Sequence, residues 1–167
     1  MSDPTFIFIH YLTRLKKLVI KVEESGSRQK EVLFTKLQND MFPLHQQMTT
    51  AISFSLRCCC VLSKRDIVTF HHDTISCFNL IKEIDETIIY LEQIPKINFL
   101  NCEDMELVIE AGFSKKHING TDFINIYAIP NFIFHVSIAY AILRNIGFNL
   151  SKGDFDGIHH YPQGFHF

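Results

Sequence analysis

The stretch AIPNFIFHVSIAYAILRNIG, residues 128–147, decides the fold class of this chain. It is apolar nearly all round, and a helix of that kind is usually buried within a protein. Pro130 predicts a kink in a helix that runs from about 121 to 147, and Gly147 predicts its C-terminal end. We therefore expect an all-α protein in which this segment is the central, most buried helix.

Three other segments carry apolar residues at helical spacing and charged residues on the opposite face. Asp40 and Asp73 are expected to cap the second and third of them, because a carboxylate can accept the free N–H groups at a helix start. His10 falls on the charged face of the first, where we expect it to be solvated. The predicted helices cover about 4–25, 43–62 and 72–93.

A long connection precedes the last helix. Residues 99–120 contain short alternating stretches that meet near Gly112, which indicates a β-hairpin or an irregular crossover. Asn119 lies in a formal glycosylation sequon, but a turn followed by a helix cap is the preferred interpretation. We expect one domain over 1–157 and a C-terminal tail rich in aromatic residues and His over 158–167.

Composition excludes several classes of function. The chain has 167 residues, 47% of them hydrophobic, and a net charge of -2 without a basic block, so nucleic acid is not an expected partner. Its first residues lack the basic region of a secretory signal. Polar residues interrupt 123–143, so that no uninterrupted apolar run reaches the ~18–20 residues of a membrane span. We expect a soluble, cytoplasmic protein with no membrane partner.

The cysteines do not resemble a disulfide framework. They are odd in number and three are consecutive, which puts neighbouring thiols about 100° apart on a helix. We interpret them as small buried hydrophobic residues rather than as a metal cage. They are Cys58, Cys59, Cys60, Cys77 and Cys102.

Few polar side chains are predicted to point into the bundle. Gln47 lies on the inward stripe of the second long helix, and Asn131 and His135 are one turn apart on the last. Leaving such groups buried and unpaired would cost about 1–3 kcal/mol each. They can bond to one another, to the backbone, to Tyr127 or Tyr140, to water or to a ligand, and the residues alone leave these alternatives open.

Three segments resemble the domain-of-unknown-function family 1993, within the DinB/YfiT-like superfamily. They are NDMFPLHQQM (39–48), IPNFIFHVSIAYAILRNIGFNLSKGDF (129–155) and the overlapping DFDG (154–157). The resemblance covers nearly the whole chain, from the first helix to about Gly157. It implies a DinB-like four-helix bundle, with a long connection before the last helix and a tendency to form homodimers.

The resemblance also implies where a metal site would lie. Superfamily members with an intact site are metalloenzymes that hold zinc or nickel with three histidines, and some activate a low-molecular-weight thiol. The equivalent positions here are Gln47, Asn131 and His135, so one imidazole remains. Amide oxygens are poor ligands for these metals. We therefore expect no metal cofactor, with zinc or nickel at His135 as the alternative.

These observations lead to three hypotheses for function. The preferred one is a non-metal small-molecule-binding protein or pseudo-enzyme, whose pocket is lined by Gln47, Asn131, His135 and Tyr140 and which forms a homodimer. One alternative is a metal-dependent enzyme resembling thiol transferases. The other is a structural dimerisation module without a ligand. Whether the chain is an enzyme is left open at this stage.

Overall fold

A computed structural model of the chain describes residues 3–162, so the last five residues of the predicted tail lie outside the described part. Helices dominate, and a two-stranded hairpin precedes the last long helix, which confirms the predicted fold class. Within residues 3–162, three short α-helices accompany the four long ones. The α-helices are α1 (Thr5–Glu23), α2 (Gln29–Phe34), α3 (Leu44–Leu62), α4 (Cys77–Glu92), α5 (Gly120–Asp122), α6 (Ile129–Asn145) and α7 (Lys152–Asp156).

The core is built around α3 rather than around the last long helix. α3 packs against α6 on one side and α4 on another, while α1 packs against α4. Twelve of the 19 residues of α3 are buried, compared with six of the 17 residues of α6. The predicted central position of the last helix is therefore wrong. Its outward side is apolar too, as Ile126 (68% exposed) and Phe134 (51% exposed) show.

The continuous helical stretch Gly120–Asn145 is long and apolar enough to cross a membrane on length and composition alone. Its most apolar 18-residue window has a mean hydropathy of 1.7, and 39% of that window is buried. The polar interruptions noted in the sequence do not bring the mean below the range typical of spans. In the bundle the inner side of this stretch supplies core residues, including Phe132, Val136 and Ala139, so we interpret it as a core helix.

Both predicted aspartate caps are wrong. α4 begins at Cys77, and Ser76 caps it by accepting the Asn79 N–H at 3.1 Å. Asp73 precedes that start by four residues, in an irregular segment. The residue before α3 is Pro43, and the chain reaches the helix through a hydrogen bond from Leu44 N to Thr35 O of 2.8 Å. Asp40 lies too early in the turn to serve as the cap.

The hairpin is confirmed. β1 (Glu106–Ala111) and β2 (Ser114–Asn119) pair antiparallel, and Gly112 occupies the turn with φ +62°, a conformation that favours glycine. Asn119 then caps the next helix, since its Oδ1 accepts the Asp122 N–H at 2.8 Å.

Two details refine the last helix. Residues Phe123–Ala128 form a π-helical segment, so the irregularity expected at Pro130 begins seven residues before the proline. Gly147 has φ +90° just after α6 and donates its N–H to Arg144 O at 3.1 Å, as expected of a helix end.

The remaining predictions divide. All five cysteines are buried and free, as expected. His10 is not simply solvated, because its Nε2 lies 2.8 Å from the Asp156 carbonyl oxygen at the end of α7. The helix α7 packs against α1 and brings this carbonyl to His10. The periodicity of α1 could not indicate a contact with a segment so distant in sequence.

Candidate functional site

A buried hydrogen bond joins the first turn of α3 to α6. Gln47 Oε1 and His135 Nδ1 are 2.7 Å apart, and the two side chains are only 2% and 9% exposed. Gln47 Nε2 also donates to the Phe42 carbonyl oxygen at 3.2 Å, just before the helix. Of the open alternatives for these residues, the structure selects the one in which Gln47 anchors His135.

This arrangement determines the tautomer of His135. The Phe42 carbonyl can only accept, so the amide nitrogen of Gln47 must face it and the amide oxygen must face the ring. Nδ1 therefore carries a proton and donates it to Gln47. In the neutral ring Nε2 is then the acceptor, with its lone pair directed away from Gln47.

His135 Nε2 is available to a ligand. Within residues 3–162 the ring has no hydrogen-bond partner besides Gln47. Among residues 3–162, the fully buried side-chain atoms without a hydrogen bond are Arg14 Nε, His72 Nε2 and Thr87 Oγ1, and His135 Nε2 is not one of them. The nitrogen is therefore not completely sealed from the molecular surface. Burial lowers the pKa of His135 below its usual 6.5, which favours the neutral ring that accepts a hydrogen bond.

Three phenylalanines surround this ring, and we call them with His135 the aromatic mouth. Phe54 and Phe42 stack nearly parallel to the imidazole, at centroid distances of 5.8 and 6.3 Å. Phe134 meets it edge to face at 5.2 Å. Phe42 and Phe134 are 45% and 51% exposed, so the mouth opens toward solvent.

The other two predicted site residues have different environments. Asn131 Nδ2 donates to the Tyr127 carbonyl at 2.7 Å, within the irregular turn before Pro130. Tyr140 packs edge to face on Phe155 at 5.8 Å and lines a separate cavity of about 200 Å³. The structure thus brings Gln47 and His135 together and gives Asn131 and Tyr140 local partners of their own.

The donor set does not fit the metal that the superfamily implies. At the three equivalent positions one imidazole is present. The Gln47 amide oxygen already accepts from His135, and the Asn131 amide is held through its nitrogen by a backbone carbonyl. Carboxamide oxygens are weak ligands for zinc or nickel. Across residues 3–162 no three His, Cys, Asp or Glu side chains lie close enough to hold a metal ion.

Two cavities flank α3 and involve residues that the sequence analysis missed. One of about 170 Å³ lies beside the mouth and is bordered by Phe54, Tyr127 and Arg57. The other, of about 530 Å³, runs along the outer side of α3. A signal was present, since Thr49, Ser53 and Arg57 recur every four residues as a polar stripe.

A four-helix bundle with an interrupted last helix, whose inward imidazole meets the second long helix, is a bundle of the DinB type. The profile of the family described as "Domain of unknown function (DUF1993)" matches residues 4–156. The chain belongs to this family, as the resemblance had indicated.

A solved structure supports the same fold. The crystal structure of a DinB family member from Shewanella denitrificans superposes with a TM-score of 0.82 and 26% identity, covering 95% of this chain and 92% of that one. No curated protein matches the sequence at a significant level.

Proposed function

We propose that this protein binds a small organic molecule at the aromatic mouth, as a non-metal binding protein or pseudo-enzyme. The observation that carries the proposal is the Gln47 amide, which holds the His135 proton on Nδ1 and leaves Nε2 as an accessible acceptor. The ligand class follows from this chemistry. It is an aromatic or flat apolar molecule with one O–H or N–H donor.

The surroundings favour such a ligand over an ion. Rings that line a site stack on flat ligands and bury their apolar surface. A neutral imidazole with a lowered pKa accepts a hydrogen bond from a hydroxyl without requiring a counter-charge. Asn131 supports the site indirectly, since its bond to the Tyr127 carbonyl stabilises the turn that leads into α6.

Two alternatives have specific support. The Gln47–His135 bond connects residues 88 apart in sequence, which suits a purely structural role in setting the register of α3 against α6. A metal-dependent enzyme would use His135 Nε2 as its single imidazole, with water and substrate completing the coordination. We prefer the ligand-binding function because a structural pair would not need an accessible Nε2.

The direct test is titration with phenol, followed by NMR of protein labelled in its histidine rings. We expect saturable shifts of the His135 ring and weaker binding of anisole, which lacks the donor. His135→Phe keeps the aromatic wall but removes Nε2, so phenol should lose its advantage over anisole. His10→Phe is the matched control and should bind like the wild type. Equal binding of phenol and anisole to the wild type would contradict the proposal.

The same untagged protein separates the alternatives. Calorimetric titration with zinc and nickel should show no stoichiometric binding to the wild type. Stoichiometric binding that is lost in His135→Ala would instead support the metal-dependent enzyme. If no aromatic alcohol binds and the only effect of His135→Phe is on stability, the structural role is favoured.

We also propose that the protein is a homodimer in the cytoplasm. Support comes from the outer side of the last helix, where Ile126 and Pro130 are four residues apart and both exposed, outside the aromatic mouth. A second copy of the chain would cover this apolar stripe. Analytical ultracentrifugation should give a dimer mass for the wild type and a monomer for Ile126→Asn, and a monomeric wild type would refute the assembly.

A further inference from the structure

The groove of about 530 Å³ lies on the far side of α3 from α6. Its walls are α3, the irregular segment 67–71 and Glu83 from α4. The volume falls within the range of small-molecule sites, which is about 300–1,000 Å³. Its α3 side runs from Gln46 to Arg57, which corresponds to roughly 16 Å of helix. The groove is therefore long enough for an extended ligand.

Its lining combines an apolar floor with hydroxyl groups. Ile52 and Leu56 of α3 are buried beneath it, and Ile67 and Val68 close it from the loop side. Thr49, Thr50, Ser53 and Thr69 contribute the hydroxyls. Apolar surface with a few convergent polar groups is typical of sites for organic ligands rather than for inorganic ions.

One end of the groove carries a cation, Arg57, that has no counter-ion among residues 3–162. The Arg57 guanidinium lies over the Phe54 ring, 5.4 Å from its centroid. In the described part of the chain it forms no ion pair, whereas Lys16 pairs with Asp85 and Lys21 with Asp154. Stacking orients the planar guanidinium and leaves its N–H groups for a carboxylate, which it can bind through two parallel hydrogen bonds.

The other end is polar, and among residues 3–162 it carries no free cation. His71 Nδ1 lies 3.6 Å from Glu83 Oε2, and the Glu83 side chain is buried. Both residues share a neighbouring small cavity with Thr49, which places them about two turns of α3, roughly 12 Å, from the level of Arg57. Burial raises the pKa of Glu83, while His71 beside it acts in the opposite direction.

We propose that this groove binds an elongated organic monocarboxylate, with its carboxylate on Arg57, its apolar body on the floor and a polar, uncharged end near His71 and Glu83. The charges favour a monoanion over a phosphate ester. A dianion needs more than one cation, and Glu83 would repel a second negative group. The two sites share the Phe54 ring, which contacts both His135 and Arg57, but the carboxylate in the groove makes no use of His135 Nε2.

The test uses 4-phenylbutyrate as the probe and its neutral isostere 4-phenylbutanamide as the comparison. We expect calorimetry to give tighter binding of the carboxylate, and NMR shifts to map to Thr49, Ser53 and Thr69. Arg57→Gln should weaken carboxylate binding by about tenfold or more, because a charge-assisted bidentate pair is lost. Its effect on the amide should be small.

Two control variants make the result specific. Arg65→Gln removes a cation that lies over Tyr90, 6.0 Å from its centroid and outside the groove, and should bind the carboxylate like the wild type. His135→Phe removes the acceptor of the mouth but keeps an aromatic ring against Phe54, so Arg57 stays oriented and carboxylate binding should be unchanged. If phenol does not bind at the aromatic mouth, the proposal for the groove is therefore still tested by the carboxylate titration.

Three results would overturn the proposal. One is the absence of carboxylate binding to the wild type. Another is binding of equal strength by Arg57→Gln. The third is a set of shifts confined to Phe42 and Phe134, which would move the ligand to the aromatic mouth.

Discussion

The Gln47–His135 pair offers the sharpest test of the site, through a double-mutant cycle. Gln47→Leu removes the acceptor and leaves the Nδ1 proton of a ring that is 9% exposed without a partner. His135→Phe keeps the stacking on Phe42 and Phe54 but leaves Gln47 Oε1 unpaired. The double variant replaces both polar groups with apolar groups of similar shape.

The structure sets the expected magnitudes. A buried polar group that loses its partner costs about 1–3 kcal/mol, while replacing both partners can be nearly neutral. Each single variant should therefore lower the free energy of unfolding by about 1–3 kcal/mol. The double variant should be no less stable than the worse single one, which gives a coupling energy of roughly 1–2 kcal/mol.

Urea unfolding monitored by circular dichroism measures these differences. Thermal scans should agree, because about 1 kcal/mol corresponds to a Tm change of roughly 2–4 °C in a chain of this size. Gln46→Leu, in the same turn of α3 but without this bond, is the control and should change stability by less than about 0.5 kcal/mol. If the two single effects simply add, Gln47 and His135 are not energetically coupled and the tautomer argument fails with them.

Three further outcomes follow from particular residues. Burial lowers the pKa of His135, so the unfolded chain takes up its proton first; this contribution to stability is complete above about pH 6.5 and is lost as pH falls. Lowering the pH from 7 to 5 should therefore reduce the free energy of unfolding more for the wild type than for His135→Phe, as measured by urea unfolding. Equal reductions in the two proteins would contradict this. Ser76→Ala should cost about 1 kcal/mol and Asp73→Ala almost nothing, since only Ser76 caps α4; the reverse order would restore the sequence-based cap. Gly120→Ala would put Cβ 1.7 Å from a backbone carbonyl oxygen, whereas Gly26→Ala meets no atom within 4 Å and bears only its φ of +64°. Melting curves should show a larger decrease in Tm for Gly120→Ala. Similar decreases for the two variants would mean that the backbone near the hairpin can shift to accommodate the added Cβ.

Local patterns in the sequence determined most of the secondary structure. Helical periodicity located the first three long helices, a long apolar run located the last, and alternation around Gly112 located the hairpin. These features depend on residues a few positions apart, so one segment contains the information. The caps failed for a related reason, because several polar residues precede α4 and only the path of the chain determines which of them lies at the helix start.

Local sequence patterns did not determine which face of the last helix is buried. The segment around Phe134 is apolar on every side, so its composition could not reveal which side meets α3 and which remains exposed. The tertiary packing determines which side is buried, because α1, α4 and the 67–71 segment occupy the other sides of α3. The same packing created the groove beside Arg57, which joins elements far apart in sequence.

The sequence by itself determined that Gln47 and His135 are inward polar residues of a DinB-like bundle. Only the tertiary structure decided that they bond to each other, that Phe42 orients the amide, and that Nε2 is therefore the free acceptor. The physical reason is the range of each interaction. Periodicity acts within one helix, whereas a hydrogen bond between residues 88 apart depends on how two helices pack.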